Sequence, residues 1–411
     1  MKFPVFILLL LLTCLAYPQG INSITGKVVI AGTNTIIANA SVFISGTSRG
    51  TVSDKDGNFT LAGIPPGSYE LIISSIGYTT LVYPFTAAQL PLQLKIELKT
   101  KATELEAVTV EPFDEETWEK WGNIFIQSFI GTSFAARQTN IKNYDKIQFR
   151  YYRKKQLLVA IADEPLIIEN HALGYKIQYQ LEEFQWDQKN RTLFFLGYSL
   201  FDDMADDRKR VPRRWAENRK KAFYGSMLHF MKSLYENRLR EEKFEVHRFK
   251  KERNVEKDRV RDIYKTISRG AVYSGGVTVM QYGQKIGKDT ADYYEKIMRQ
   301  PDYLDIIEEP LLTADSLVST KNTTSKLLYF PNYLHITYKG AKEENNYLLY
   351  SRENRRVSYP RSTIFLLHGN PVTIDAIGLY FPPQEVFSTG YWAWSEKVAH
   401  LLPFDFVLEE E

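Results

Sequence analysis

Cysteine is almost absent from this 411-residue chain, and the single cysteine is Cys14, at the end of an N-terminal apolar run. If that run is removed after Ala16, the remaining chain has no disulfide, no thiolate nucleophile and no cysteine-ligated zinc. Histidine is also scarce, with six residues, and the net charge is only +3. After the N-terminal run, no stretch reaches the roughly 18 apolar residues of a membrane-spanning helix.

The first residues have the composition of a secretory signal peptide. Lys2 precedes an apolar run from Val5 to Leu12, which is too short to span a bilayer. We predict a signal peptide over residues 1–19 and an exported protein, either periplasmic or associated with the outer membrane. Cleavage before Cys14 and acylation of that residue is the alternative, but Thr13 is larger than the small residue expected there.

From residue 23 to residue 99 the chain alternates short apolar runs with turn residues. This spacing is typical of a small antiparallel β-sandwich. The predicted strands cover residues 24–31, 41–45, 50–53, 58–61, 68–75, 79–85 and 92–98. Seven strands are enough to close a two-sheet core.

One turn in this region has a spacing that resembles a calcium loop. Asp54, Asp56 and Asn58 alternate as the first ligands of an EF-hand do, but Phe59 stands where that loop requires glycine. We therefore interpret the segment as an Asx-type hairpin turn in which Gly57 adopts a positive φ.

Three stretches of this region resemble a known domain: ITGKVV at residues 24–29, the continuous sequence of residues 38–80, and LQLKIEL at residues 92–98. Together they resemble the carboxypeptidase-regulatory-like domain that is widespread in exported proteins of the Bacteroidetes. The resemblance implies an all-β sandwich of the transthyretin or immunoglobulin type, found beside zinc carboxypeptidase domains and at the N-termini of TonB-dependent transporters. It implies no catalytic residue. Residues 105–110 resemble the segment that often follows this domain, and we predict a linker over residues 100–112.

An amphipathic helix is predicted directly after the linker. Asp114 has the side chain of an N-cap, and Gly131 ends the helical pattern. The large aromatic residues fall on one helical face: Trp118, Trp121, Phe125 and Phe129. We interpret this stripe as core packing rather than as a ligand platform.

The rest of the chain mixes strands and helices, which predicts an α+β domain with an antiparallel sheet over residues 113–411. Predicted hairpins pair residues 146–153 with 156–162, and 174–185 with 192–198. Further strands are predicted at residues 244–250, 325–338, 346–350, 358–367 and 372–380. Helices are predicted at residues 212–240, 257–267 and 289–298, and a glycine-containing loop at residues 270–287.

The start of the predicted helix at residues 212–240 is densely basic. Its cationic residues are Arg208, Lys209, Arg210, Arg213, Arg214, Arg219, Lys220 and Lys221. Such a cluster can bind nucleic acid, but export separates the protein from the cell's nucleic acids, and we predict no nucleic-acid partner. The functional alternative to a solvated helical face is binding of lipid or glycan phosphates through Arg213 and Arg214.

Tyr391, Trp392 and Trp394 form an aromatic group near the C-terminal end. Two tryptophans beside a glycine can form a platform for stacking sugars, whereas large aromatic side chains more often pack into a core. We expect a short helix, ended by Pro403, that anchors these side chains, with sugar binding as the alternative.

None of the six histidines opens the His-x-x-Glu motif of a zinc carboxypeptidase. The residues three positions after the histidines are Gly174, Lys232, Lys250, Tyr338, Pro371 and Pro403. The Gly-x-Ser-x-Gly pattern of a serine hydrolase elbow occurs at residues 46–50, with Ser48 at its centre. It lies between two predicted strands of the sandwich, whereas the elbow requires a turn from a strand into a helix. We therefore predict no metal, no cofactor and no catalytic residue.

Residues 164–184, 222–234 and 390–406 resemble a family of uncharacterised Bacteroidetes envelope proteins, which implies no known chemistry. We predict a noncatalytic exported envelope protein that binds a protein partner or surface polymer through its sandwich and second domain. The alternative is a hydrolase of envelope glycan or peptide. A cleft with converging carboxylates or histidines, one of them an acid with a perturbed pKa, would favour the hydrolase.

Overall fold

The computed structural model describes residues 22–101, 112–205, 211–269, 271–274, 277–280, 288–322 and 324–408. The predicted signal peptide and most of the predicted linker lie outside these residues. So do Arg208, Lys209 and Arg210 of the basic stretch, and parts of the predicted loop at residues 270–287. Within the described ranges, no helix is long and apolar enough to cross a membrane.

Seven strands form the N-terminal sandwich, and each coincides with a predicted strand. They are β1 Ser23–Ile30, β2 Ser41–Ile44, β3 Gly50–Val52, β4 Asn58–Ala62, β5 Ser68–Ser74, β6 Leu81–Thr86 and β7 Leu92–Leu98. Their two sheets have the strand orders β4-β1-β7 and β3-β2-β5-β6. β1 and β7 run parallel, so the prediction of a wholly antiparallel sandwich was wrong there. Side-chain alternation has the same period in both strand directions and does not reveal direction.

The turn before β4 uses its own carboxylate. Asp54 Oδ1 accepts hydrogen bonds from the Asp56 N–H at 2.9 Å and the Asn58 N–H at 2.8 Å. Gly57 has a φ of 76°. This is the Asx-type turn that the sequence predicted.

A seven-stranded sheet follows the sandwich. Its strands are β8 Asp114–Glu116, β9 Thr139–Ile141, β10 Ile147–Tyr152, β11 Leu157–Ala162, β12 Leu166–Asn170, β13 Tyr175–Asp187 and β14 Thr192–Asp203. The order is β8-β10-β11-β13-β12-β9, and β14 pairs with β13 alone among these strands. Both predicted hairpins, β10–β11 and β13–β14, are confirmed.

Helix α1, Trp118–Phe129, packs its aromatic face on this sheet. Phe125 and Phe129 are fully buried, and the Phe125 ring lies 4.8 Å from that of Phe184. The stripe is core packing, as predicted. The N-cap prediction was wrong: Asp114 belongs to β8 because residues 114–116 pair with β10, and the residue before the helix is Thr117.

The single helix predicted at residues 212–240 is two helices, α2 Arg213–Phe223 and α3 Met227–Tyr235. Gly225 separates them with a φ of 84°, which favours glycine, and an added Cβ would lie 2.6 Å from the Tyr338 ring. The Ser226 side chain then accepts from the His229 N–H and caps α3. The periodicity continues across this break, so the pattern alone did not reveal it.

The C-terminal part contains eleven further strands among the described residues. They are β15 Phe244–Arg253, β16 Ala271–Ser274, β17 Val277–Met280, β18 Tyr303–Leu311, β19 Val318–Thr320, β20 Ser325–Leu328, β21 Tyr333–Tyr338, β22 Arg361–Leu366, β23 Val372–Asp375, β24 Tyr380–Phe381 and β25 Val386–Gly390. The remaining helices are α4 Val255–Arg269, α5 Lys288–Met298, α6 Asn345–Ser351 and α7 Tyr391–Ser395. One sheet has the order β18-β15-β21-β22-β25, a second has the order β19-β20-β23-β24, and β16 pairs with β17.

Four predictions in this part were wrong in detail. The strand predicted at residues 346–350 is helix α6, because Tyr347 packs against the aromatic rings of α7. The strand predicted at residues 325–338 is interrupted before β21, where Pro331 offers no N–H and Asn332 has a φ of 60°. The strand predicted at residues 372–380 contains a turn at Gly378. The loop predicted at residues 270–287 includes the β16–β17 hairpin.

Buried apolar side chains in the described residues form three clusters. One fills the sandwich, one lies between α1 and the seven-stranded sheet, and one lies between α3 and the two C-terminal sheets. The end of the chain returns to the second cluster through Val398 and Ala399, which are fully buried.

The sandwich contacts the later sheets through its β2–β3 loop. The Gly46 N–H donates to the Ser199 carbonyl at 2.7 Å, and the Phe201 N–H donates to the Thr47 carbonyl at 3.0 Å. Thr47 thereby pairs in parallel with Leu200. A short piece of the sandwich has joined the open edge of β14.

Two carboxylates support the same junction. Asp405 accepts from the Ser48 hydroxyl at 2.6 Å and from the Ser48 N–H at 3.1 Å. Asp375 accepts from the Ser68 N–H at 3.3 Å, and burial raises the pKa of Asp375 to about 6. Ile377, two residues later, packs against the sandwich core.

Candidate functional site

An open cleft of about 860 Å³ lies between the β13–β14 hairpin and β25. Six consecutive residues, 191–196, line one wall, and all five residues of β25 line the other. Half-exposed or exposed aromatic side chains project into it: Phe194, Phe195, Tyr350, Tyr380 and Phe387. A volume of several hundred Å³ with an aromatic lining is typical of ligand sites in proteins.

Glu396 is the carboxylic acid among the described residues that line this cleft. Its Oε1 accepts from the Met227 N–H at 3.1 Å, at the start of α3. Burial raises the pKa of Glu396 to about 7 and lowers the pKa of the adjacent Lys397 to about 8. The cleft therefore contains one acid and one amine that change charge close to neutral pH.

The described lining of the cleft contains no second carboxylate and no histidine. His400 and Glu344 lie outside it, with 3.7 Å between His400 Nε2 and Glu344 Oε1. Burial lowers the pKa of His400 to about 3, so its imidazole is neutral at physiological pH. The cleft has the acid with a perturbed pKa that is expected of a hydrolase. Its described lining lacks the second carboxylate or histidine that would have to converge with that acid.

The predicted aromatic residues lie beneath the cleft surface. Trp392 and Trp394 are each 2% exposed. The Trp392 Nε1–H donates to the Gly225 carbonyl at 2.7 Å, and the Trp394 Nε1–H donates to the Thr132 Oγ1 at 2.8 Å. The Tyr391 ring packs 5.2 Å from that of Trp394. These side chains hold α7 in place, and the two buried indole rings present no open face for stacking a sugar.

Arg213 and Arg214, the two basic residues proposed for phosphate binding, do not line the cleft. Arg213 is exposed and pairs with Glu217 at 2.8 Å. Arg214 donates to the Gln138 Oε1 at 2.7 Å. The structure does not bring Arg213 and Arg214 together with the predicted aromatic group.

Arg219, from the same basic stretch, is buried. Its guanidinium donates to both carboxylate oxygens of Asp203, each at 2.9 Å. It also donates to the carbonyls of Leu173 and Gly174. Arg219 thus ties α2 to the start of β13 and the end of β14. Sequence composition gave no sign that one arginine of this stretch is internal.

No group of three or more His, Cys, Asp and Glu side chains is placed to hold a metal ion in the described parts of the chain. The cleft residues Phe194, Ser388 and Glu396 belong to no motif in the sequence. Sequence reasoning missed them because the cleft forms from segments almost two hundred residues apart.

Comparison with known proteins identifies the N-terminal part. Residues 24–110 match the model of the CarboxypepD_reg-like domain family. This confirms the resemblance seen in the sequence and assigns the sandwich to that family. No curated protein matches the chain.

Similar solved structures include a type II cohesin–X-dockerin complex from Acetivibrio cellulolyticus. That chain is 20% identical, with 19% of this chain and 58% of that chain covered and a TM-score of 0.18. A protein of unknown function from Bacteroides fragilis NCTC 9343 is 9% identical, with 90% of this chain and 94% of that chain covered and a TM-score of 0.16. A 9R-lipoxygenase from Cyanothece PCC8801 is 9% identical, with 53% and 48% covered and a TM-score of 0.13.

Proposed function

We propose that this protein, whose CarboxypepD_reg-like domain is joined to two further cores, is a noncatalytic exported envelope protein that binds a protein partner or surface polymer. The observation that carries the proposal is the open aromatic cleft between β14 and β25. Aromatic side chains that are already ordered in a cleft bury large apolar area on binding and lose little conformational entropy.

The proposal of export rests on the N-terminal sequence. Lys2 followed by the apolar run from Val5 to Leu12 favours a signal peptide over residues 1–19. We propose a periplasmic or outer-membrane-associated location, with lipid attachment through Cys14 as the alternative. Mass spectrometry of the protein isolated from its own cells tests both, because acylation leaves Cys14 as a lipid-modified N-terminus.

The noncatalytic part of the proposal rests on the composition of the cleft. Hydrolysis of a glycoside by the usual route needs two carboxyl groups about 5 to 10 Å apart, and the described lining offers Glu396 alone. Peptide hydrolysis needs an activated nucleophile or a metal-bound water. A single acid beside Lys397 supplies neither.

A capture experiment tests the binding proposal. Purified protein is immobilised and exposed to solubilised envelope proteins and to cell-wall polymer. Tyr350 is 63% exposed and lines the cleft, whereas Leu349 is 77% exposed and does not. Tyr350→Ala should lower capture about tenfold, as loss of a central aromatic contact does, and Leu349→Ala should leave it unchanged. If Tyr350→Ala and Leu349→Ala captured equal amounts, the cleft would not be the binding surface.

The second candidate is a hydrolase of envelope glycan or peptide, and the raised pKa of Glu396 is the observation that favours it. A carboxyl group that titrates near 7 can act as a general acid at neutral pH. Turnover of cell-wall polymer by the wild type that Glu396→Gln abolishes would establish this function and refute the noncatalytic proposal.

A further inference from the structure

β25 is the last strand of its sheet, and one of its edges has no partner strand among the described residues. The Leu367 N–H bonds to the Glu385 carbonyl, and Leu367 and Glu385 continue the register in which Phe365 pairs with Phe387. Hydrogen-bonded and non-bonded pairs alternate along an antiparallel ladder. The main-chain groups of Phe387 therefore face β22, and those of Ser388 face away from it, on the side of the cleft.

The opposite wall has a matching open edge. Ser199 and Phe201 bond to the sandwich through main-chain groups on the edge of β14 that faces away from β13. By the same alternation, Phe195 presents its main-chain N–H and carbonyl on that edge, further along the strand. The sandwich covers this edge only along the second half of β14. The first half, which lines the cleft, pairs with β13 on one side and has no second partner strand on the other side among the described residues.

We infer that the cleft binds an extended polypeptide segment, which adds as a strand to the open edge of β25 while β14 supplies the opposite wall. This inference rests on the proposed binding function and names its ligand class. Unpaired strand edges are templates for pairing with another chain, and peptide recognition by strand addition uses main-chain hydrogen bonds together with pockets for alternate side chains. The small side chains of Ser388 and Thr389 let a second backbone approach β25 closely. The bulkier Phe194 and Phe195 face it across the cleft.

The same chain provides a precedent for this pairing. Thr47 already forms an isolated parallel β-bridge with Leu200, on the same edge of β14 as the open half. The five residues of β25 span about 17 Å, so the paired segment should be about five residues long. Its side chains should alternate between the aromatic floor and solvent, and the peptide should be apolar at every second position.

The test begins with selection of binders from a phage-displayed library of random decapeptides on the full protein. The best peptide is synthesised, and its affinity is measured for the wild type, Ser388→Pro and Ser388→Ala. Proline removes the N–H that faces the cleft without removing a bond to β22, and alanine removes the side chain while keeping that N–H. Ser388→Pro should weaken binding at least tenfold, and Ser388→Ala should bind as the wild type does.

N-methylated versions of the same peptide provide a second measurement that needs no protein variant. Only every second N–H of the bound peptide faces β25. A peptide methylated on those nitrogens should not bind, whereas a peptide methylated on the intervening nitrogens should keep its affinity within about threefold. This comparison tests the inference even if the Ser388→Pro variant does not fold. Equal losses of affinity for the two methylated peptides, or no loss for either, would overturn the inference.

Other outcomes separate this inference from the proposed function. If no peptide is selected while cell-wall polymer binds and Tyr350→Ala weakens that binding, the strand-addition inference fails and the binding function stands. If neither peptide nor polymer nor envelope protein binds, both fail. If the protein forms dimers that Ser388→Pro separates, the edge is occupied by a second copy of this chain and the inference is overturned.

Discussion

Glutamine at position 396 should stabilise the protein at neutral pH and leave its stability unchanged near pH 4.5. Burial raises the pKa of Glu396 from 4.5 to about 7. The folded protein therefore holds this proton more tightly than the unfolded chain does. Its contribution to stability is present below pH 4.5 and is lost as the pH rises through 7. This pKa shift corresponds to a loss of about 3 kcal/mol in the free energy of unfolding at neutral pH. We expect a smaller loss of about 2 kcal/mol, because solvent in the open cleft screens the charge.

Urea unfolding of the wild type and Glu396→Gln at several pH values from 4.5 to 7.5 measures this effect. Glutamine keeps an oxygen that can accept from the Met227 N–H. Asp375, whose pKa is raised to about 6, titrates in the same window but is present in both proteins and cancels in the difference. Lys397 has a pKa lowered to about 8, so the series stops below that value. Parallel stability curves for the two proteins would refute the reasoning.

Three further substitutions test other parts of the structure. Arg219→Ala should lower the free energy of unfolding by about 3 kcal/mol in a urea titration, because it leaves buried acceptors unpaired. Arg213→Ala, at an exposed position, serves as the control and should change that free energy by less than about 0.5 kcal/mol. Trp392→Phe should cost about 2 kcal/mol by thermal unfolding, since the carbonyl of Gly225 loses its donor, and an unchanged melting temperature would contradict this. Asp405→Ala should cost about 1 to 2 kcal/mol and expose the β2–β3 loop to protease, and cleavage there at the wild-type rate would show that the contact is dispensable.

The sandwich was predictable because its turns are local. Asp54 and Gly57 define a turn within a few residues, and the apolar runs between such turns are strands whatever lies around them. The aromatic face of α1 was predictable for a similar reason, since one helix carries the whole pattern. The start of α1 was not, because pairing between β8 and β10 depends on residues more than thirty positions away.

The cleft was beyond prediction from the sequence. Its walls come from β14 and β25, which belong to different sheets, and neither strand has an unusual composition. Residues 346–350 show the same effect on a smaller scale, because packing of Tyr347 against α7 decides their helical conformation. Glu396 has a perturbed pKa only because the fold buries it, and no neighbouring residue in the sequence indicates that burial.

β14 belongs to two contacts at once, since its first half lines the cleft and its second half holds Thr47 of the sandwich. Because the two contacts share one strand, a ligand bound in the cleft should change the free energy of the sandwich contact. The sandwich contact should change the free energy of ligand binding by the same amount. A ligand in the cleft that tightens β14 should slow hydrogen exchange at the Gly46 N–H. Asp405→Ala, which loosens the contact between the sandwich and β14, should in turn lower the affinity of the cleft for that ligand. The coupling free energy is the same in both directions. The sandwich would then act as a regulator of affinity at a site that it does not touch.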